Sequence, residues 1–402
     1  MRACLPAHGP PRARTLAADA HDPMNPIIYA IPVFMATVAL EAVLAHRLRG
    51  NRTDDAGGRS RAIYDFADAF GSLHIGILSR IAAAFPRLLT FGIYVLVFQQ
   101  FAVAHWDKGE PLAWVAAVVV YDFFYYWKHR ANHEVRIMWA GHVTHHNSEY
   151  FNLSTALRQS STTFLFDWIF YLPMAVMGVP PEMWVAAALV DLLYQYWTHT
   201  ELIGRLGWFD RVFVSPSNHR VHHGQDGYCI DRNYGGILVV WDRLFGTFAE
   251  ERDGPIVYGV RTPLRSLDPL WGNLHYYAVI WRDLRAARGL GAKLEAVFAP
   301  PSGWQDEHLV GFDPATFERH AVPVSRALAR YVGAQLVVSM LCTCVFLYLF
   351  PRWEAWQGAL AAAWMLAALC GPAGLMEGRG WARGLEALRW LAAVPVAFAL
   401  LP

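Results

Sequence analysis

The apolar runs constrain this chain most. A helix that crosses the hydrocarbon core of a bilayer needs about 20 consecutive apolar residues. Six to eight stretches approach that length: 27–45, 88–104, 112–127, 163–177, 183–197, 331–350, 356–375 and 385–401. The first is interrupted only by Glu41, and the third is broken by Asp122. Gly178-Val179-Pro180-Pro181 between the fourth and fifth reads as a tight turn between antiparallel helices. The expected fold is all-α, a polytopic membrane helical bundle with a histidine-rich cytoplasmic cap. Charged residues make up 17% of the chain, against about 25% in soluble domains. The net charge of +1 offers no surface for nucleic acid.

Arginine placement sets the expected orientation. Arg47, Arg49, Arg52, Arg59 and Arg61 follow the first run, which marks that loop as cytoplasmic. Counting spans alternately then puts 199–330 on the same side, in agreement with Arg319, Arg326 and Arg330. Residues 72–87 are apolar but contain His74, Arg80 and Pro86, and read as an interfacial or re-entrant helix. Residues 270–284, rich in Trp and Tyr, suit an amphipathic helix on the bilayer surface. Residues 1–23 read as a disordered tail rather than a cleaved signal peptide, and Met24 is a second candidate start. The expected domains are that tail, a membrane domain over 24–325, and C-terminal transmembrane helices over 326–402.

The 17 histidines are not scattered. Eight fall into three clusters: His129 and His133; His142, His145 and His146; His219, His222 and His223. His199, at the end of the fifth run, is a ninth candidate. Residues three or four apart share a helix face, so each cluster can turn its imidazoles to one side. Eight imidazoles are too many for one ion; two ions with about four nitrogens each, and positions left open for oxygen, fit better. His8, His21, His46, His74, His105, His275, His308 and His320 stand alone and read as ordinary residues. The five cysteines form no CxxC pair, which leaves no thiolate site and no disulfide framework. A catalytic zinc needs about three protein ligands and haem one or two. Imidazole-rich ligation of two irons suits activation of O2.

Nearby polar residues are candidates for orienting those ligands. Asp122 precedes His129 by two helical turns, and Asp191 stands in the same relation to His199. Both lie in apolar runs, where an ionisable side chain is costly and often functional. Asp167 is a weaker candidate. Glu134, Asn147 and Glu149 border the clusters. Asp226, Asp231 and Asn233 follow the last cluster, where loop capping explains them equally well. Phe123, Phe124, Tyr125 and Tyr126 either line a lipid entry or simply pack between helices, with packing favoured.

The HxxxH, HxxHH, HxxHH series resembles the fatty acid hydroxylase/sterol desaturase superfamily of integral-membrane di-iron enzymes. Residues 125–130, 138–142, 152–160, 197–201 and 219–248 further resemble its ether-lipid-cleaving branch, and the similarity runs over about 24–311. The resemblance implies two Fe, O2 and tetrahydrobiopterin as cofactors. It implies an alkylglycerol substrate hydroxylated at the ether-linked carbon, the product collapsing to a fatty aldehyde and glycerol. The eight clustered histidines match the family's ligands, and Glu134 matches the Glu after its second motif histidine. Hydroxylation or desaturation of a sterol, sphingolipid or carotenoid shares every histidine and is the nearer alternative. A metal transporter is the distant one, because its ligands would lie across the bilayer midplane.

Overall fold

In the computed structural model, residues 26–49, 62–303 and 313–401 are described. The expected tail over 1–23 lies outside them. Fifteen α-helices are present among the described residues, with no strand beyond two isolated bridges. The first is α1 (Pro26–Arg49), followed by α2 (Phe66–Ala84) and α3 (Arg87–Phe101). Then come α4 (Pro111–Glu134), α5 (Arg136–His146) and α6 (Leu153–Ala156). Two 3-10 turns, Thr163–Leu165 and Asp167–Tyr171, lead into α7 (Leu172–Val176) and α8 (Pro181–Trp197). The short α9 (Pro216–His222) and α10 (Val240–Phe245) precede α11 (Pro269–Ala286) and α12 (Leu290–Phe298). Last are α13 (Arg326–Leu349), α14 (Ala355–Met376) and α15 (Ala382–Ala399).

Among the described residues, three stretches are long and apolar enough to span a membrane: Ile27–Leu48, Arg326–Arg352 and Ala355–Met376. A fourth span is available if α2 and α3, bent by 51° at their junction, act as one. The protein is therefore an integral membrane protein, with fewer spans than the apolar runs suggest. The reasons are local. Residues 163–177 form two 3-10 turns and a five-residue helix, not one rod. At 17 residues α8 is short, and it carries Asp191. α4 carries Asp122 at its middle, and Lys128, Arg130 and two histidines in its second half. Arg383, Glu386 and Arg389 interrupt α15. With the span count reduced, the alternation that put the histidines on the cytoplasmic side loses its basis. Residues 72–87 belong mostly to α2, whose N-terminus is capped by Asp65 accepting from the Ala67 and Asp68 amides.

Among the described residues the two largest apolar clusters hold the helices. Tyr94, Tyr121, Tyr171, Met174 and Met183 fill the space among α3, α4, α7 and α8. Ile77, Ile81, Phe346, Met365 and Leu369 join α2, α13 and α14. Buried Arg389 pairs with Glu386 at 2.8 Å and donates to Gln335 at 2.9 Å, which ties α15 to α13. Arg136, also fully buried, donates to Asp283 and to the Ala296 carbonyl, both at 2.7 Å, and locks α5 to α11 and α12. The stretch expected as a surface helix is α11, with Leu270, Trp271, Leu274 and Trp281 exposed.

One glycine is required for this packing. A Cβ on Gly76 would lie 2.2 Å from the Leu157 carbonyl oxygen, so α2 touches the backbone after α6 directly. Gly76→Ala should cost about 1–3 kcal/mol, because rigid backbone has to move. A lowered unfolding temperature in a thermal melt is the expected reading; an unchanged one contradicts the close approach.

Candidate metal centre

Four helix ends build the centre. His129 and His133 sit on the last turns of α4. Val135, in extended conformation, breaks the chain direction, and α5 returns with His142, His145 and His146. His199 follows the C-terminus of α8. The N-terminus of α9 is fixed by a Ser215–Asn218 capping box, and the helix presents His219, His222 and its capping residue His223. All but His142 are buried, and His142 is nearly so.

The nine imidazoles form two groups, each with its ligand nitrogens within 4.8 Å of one another. Group one is His129, His133, His142, His146 and His222; group two is His145, His199, His219 and His223. Each HxxHH cluster is divided between them, so its three imidazoles do not share one group. The i,i+4 pair goes to one group and the remaining histidine crosses to the other. His142 and His146 sit in group one while His145 joins group two; His219 and His223 sit in group two while His222 joins group one. The groups abut, with the His146 and His223 rings stacked at 4.3 Å.

Hydrogen bonds set the tautomers. Nδ1–H of His129 donates to the Tyr234 carbonyl at 2.8 Å. His145, His199 and His222 do the same toward the carbonyls of Arg158, Gln195 and Arg232, each at 2.9 Å. A carbonyl only accepts, so these rings carry their proton on Nδ1 and a lone pair on Nε2. Burial pushes all nine pKa values down, that of His145 to about 4 and that of His222 to about 3, so the rings are neutral. Yet His145 Nε2 lies 3.2 Å from His199 Nε2, lone pair against lone pair. In group one, His133 Nε2 and His222 Nε2 are buried without a partner. A cation between these nitrogens removes both anomalies, and neutral imidazole is the form that binds one. The donor set therefore fits a metal ion in each group.

The carboxylates play other parts. Asp122 accepts from the Ile237 amide at 2.7 Å, the Leu238 amide at 3.0 Å and the Trp241 indole at 2.8 Å. It grips the loop rather than His129. Asp191 accepts from Gln195 at 2.6 Å, and its other oxygen is buried without a partner. The ring N–H it was expected to hold goes instead to the Gln195 carbonyl. Glu134 pairs with Arg130 at 2.9 Å and is partly exposed. Asn147 is buried with neither amide atom partnered. Glu149 accepts from the His320 amide. Asn233, at φ 58°, bonds the Asn218 and Ala249 backbone, and Asp226 accepts from the Val257 amide, both as loop caps. The side-chain carboxylates expected to hold the histidines are thus replaced by main-chain carbonyls, which no sequence motif encodes.

A cavity of about 330 Å³ reaches both groups, touching His129, His142, His145, His199 and His219. Its apolar wall is Ile27, Ile31, Phe34 and Met35 of α1, Leu73 and Ile77 of α2, and Met340 of α13. Its polar lining includes Arg80 of α2, Tyr121, Tyr125, Lys128 and Asn132 of α4, Asp167, and Asp191 and Gln195 of α8. Of the four aromatic residues considered for a lipid entry, Tyr125 alone lines this cavity. Phe123 packs on Trp241, Tyr126 stacks on Phe245, and Phe124 packs against the first apolar core. Sequence reasoning overlooked Lys128 and Asn132 because neither belongs to a histidine motif. It also overlooked Trp139, which packs against the His133 and His146 rings at 4.9 and 5.5 Å.

Residues 114–247, which carry all nine histidines, match the fatty acid hydroxylase family model. The chain is 40% identical over 275 residues to a human alkylglycerol monooxygenase, covering 68% of this chain and 59% of that protein. A Caenorhabditis elegans alkylglycerol monooxygenase is 34% identical over 254 residues, covering 59% and 48%. An ornithine lipid hydroxylase of Rhizobium tropici is 29% identical over 227 residues, covering 54% and 66%. The chain spans about three fifths or less of the length of the alkylglycerol monooxygenases it matches. No solved structure matches it. With the matched domain laid over the two histidine groups, residues 114–247 are similar to the fatty acid hydroxylase family, and the chain is similar to the alkylglycerol monooxygenases over 68% of its length.

Proposed function

We propose that this chain is an iron-dependent membrane monooxygenase that oxidises a lipid C–H bond with O2. The carrying observation is one cavity with apolar lining from α1 and α2 that is reached by five of the nine neutral imidazoles. On this reading the nine histidines hold two irons, and residues 24–325 form the catalytic domain with 326–402 as accompanying helices. Bound iron supplies the oxidising power toward an unactivated C–H bond. The protein's own work is to hold the ligands in one tautomer, align the chain along α1 and α2, and keep bulk water out.

The substrate proposed is an alkylglycerol, hydroxylated at the ether-linked carbon. The support is the name shared by the most similar relatives, together with the two-walled cavity. Tetrahydrobiopterin as reductant rests on the same kinship. Glu134 and Asn147, at the border of group one, are the proposed contacts toward that cofactor.

Purified protein is expected to carry close to two irons. Stripping them with a chelator should lower its unfolding temperature by several degrees, because the ions bind only the folded state. Membranes supplied with an alkylglycerol, O2 and reduced pterin should release fatty aldehyde, and omission of pterin should stop it. Oxidation of a sterol or of an ornithine lipid, with alkylglycerol untouched, would retain the hydroxylase and refute the ether substrate.

A further inference from the structure

The polar wall of the cavity has a structure of its own. Tyr125, Lys128 and Asn132 recur at i, i+3 and i+7 on α4, so they form one stripe facing the cavity. Opposite them stands Asp167, at the start of a 3-10 turn. Lys128 Nζ lies 3.5 Å from one Asp167 oxygen, and Asn132 Nδ2 lies 3.4 Å from the other. Lys128 also sits 4.1 Å above the Tyr125 ring. Both contacts to Asp167 are long for hydrogen bonds whose partners carry charge, which ordinarily close to about 2.7–2.9 Å. The carboxylate is thus held in place with bonding capacity left over. Burial raises its pKa and Lys128 opposes that rise.

Resting on the lipid-oxidation reading, we propose that Lys128, Asn132 and Asp167 form the headgroup site, and that it takes a neutral headgroup bearing free hydroxyls. The charges argue for neutrality. Lys128 is already matched by Asp167, and the lining holds one further base, Arg80, and one further acid, Asp191, so the formal charges balance and no net cation draws a phosphate. The chemistry argues for hydroxyls. A hydroxyl is both donor and acceptor; it gives its proton to Asp167 and accepts from Lys128 or Asn132. The rest of the lipid has a place as well. Ile27 to Met35 runs along the apolar wall for about 12 Å, at 1.5 Å per residue, which suits an alkyl chain. His129, next to Lys128 in the chain, lines the same cavity.

The test is direct binding, which needs no turnover. Detergent-purified protein is titrated with hexadecyl glyceryl ether and with the same lipid after methylation of both hydroxyls. The wild type should bind the free diol at least about tenfold tighter, the worth of one or two hydrogen bonds to charged groups. Asp167→Asn, nearly unchanged in shape, should bring the two affinities within about twofold while iron content stays the same. Lys128→Gln serves as a second variant should the first not fold. Equal affinities in the wild type, or an unchanged ratio in a folded variant, overturn the headgroup site. Aldehyde release from the diol by the wild type is scored separately, so the oxidation reading stands or falls on its own.

Discussion

Replacing His145 with alanine should halve the iron content and abolish turnover. Group two then falls from four imidazoles to three, and it loses a ring whose Nε2 is aimed by the bond from Nδ1 to the Arg158 carbonyl. Removal of a partner that only orients a ligand typically costs 10–100-fold, so loss of the ligand itself should exceed about 100-fold. His222→Ala should give a comparable loss of turnover with less loss of iron, because four imidazoles remain in group one. The difference between the variants tests the crossed ligation directly. If each HxxHH cluster served its own ion, His145→Ala would deplete the ion of His142 and His146 instead. Metal analysis and turnover on the same preparations decide it; either variant with full iron and full activity removes the assignment.

The second large effect is expected away from the metals. Asp122→Ala leaves the Ile237 and Leu238 amides and the Trp241 indole without their acceptor in a buried setting. At about 1–3 kcal/mol per orphaned donor, the loss should reach several kcal/mol. The damage should spread to the centre. The gripped loop continues into Tyr234, whose amide is held by Asp242 at 2.7 Å and whose carbonyl fixes the His129 tautomer. Asp122→Ala should therefore melt earlier and retain less iron, even though no ligand is changed. Asp122→Asn keeps one acceptor oxygen and should fall between. A melting temperature equal to that of the wild type would mean that the loop is held by something else.

Much of the centre is readable from spacing. The i,i+3 and i,i+4 recurrence of histidine marks the three clusters, and His199 stands out by its position at the end of an apolar helix. The division of the imidazoles between two groups is not readable in this way. Helical spacing tells which side chains share a face, and His142, His145 and His146 do share one. It does not tell that two groups of imidazoles lie side by side under that face. Only the approach of α9 against α5 shows it, through the stacking of His223 on His146. Asp122 and Asp191 illustrate the same limit. Their distance along the helix from His129 and His199 is correct, but the ring N–H groups turn to main-chain carbonyls instead.

Membrane topology was legible in part for a related reason. Apolar runs report hydrophobic content, and 163–177 has it; yet that run folds as two 3-10 turns and a short helix. Its side chains serve a protein core among α3, α4 and α8, for which a continuous rod is unnecessary. Hydrophobicity measures the wish to leave water, and it does not distinguish lipid from protein as the destination. The sequence by itself determined the helical class, the presence of membrane spans and the identity of the imidazole donors, because these follow from local period and composition. The tertiary structure alone decided which histidines fall into one group, which carbonyls hold them, and that Lys128, Asn132 and Asp167 meet across one cavity. Those are contacts between residues far apart in the chain, and no local periodicity carries them.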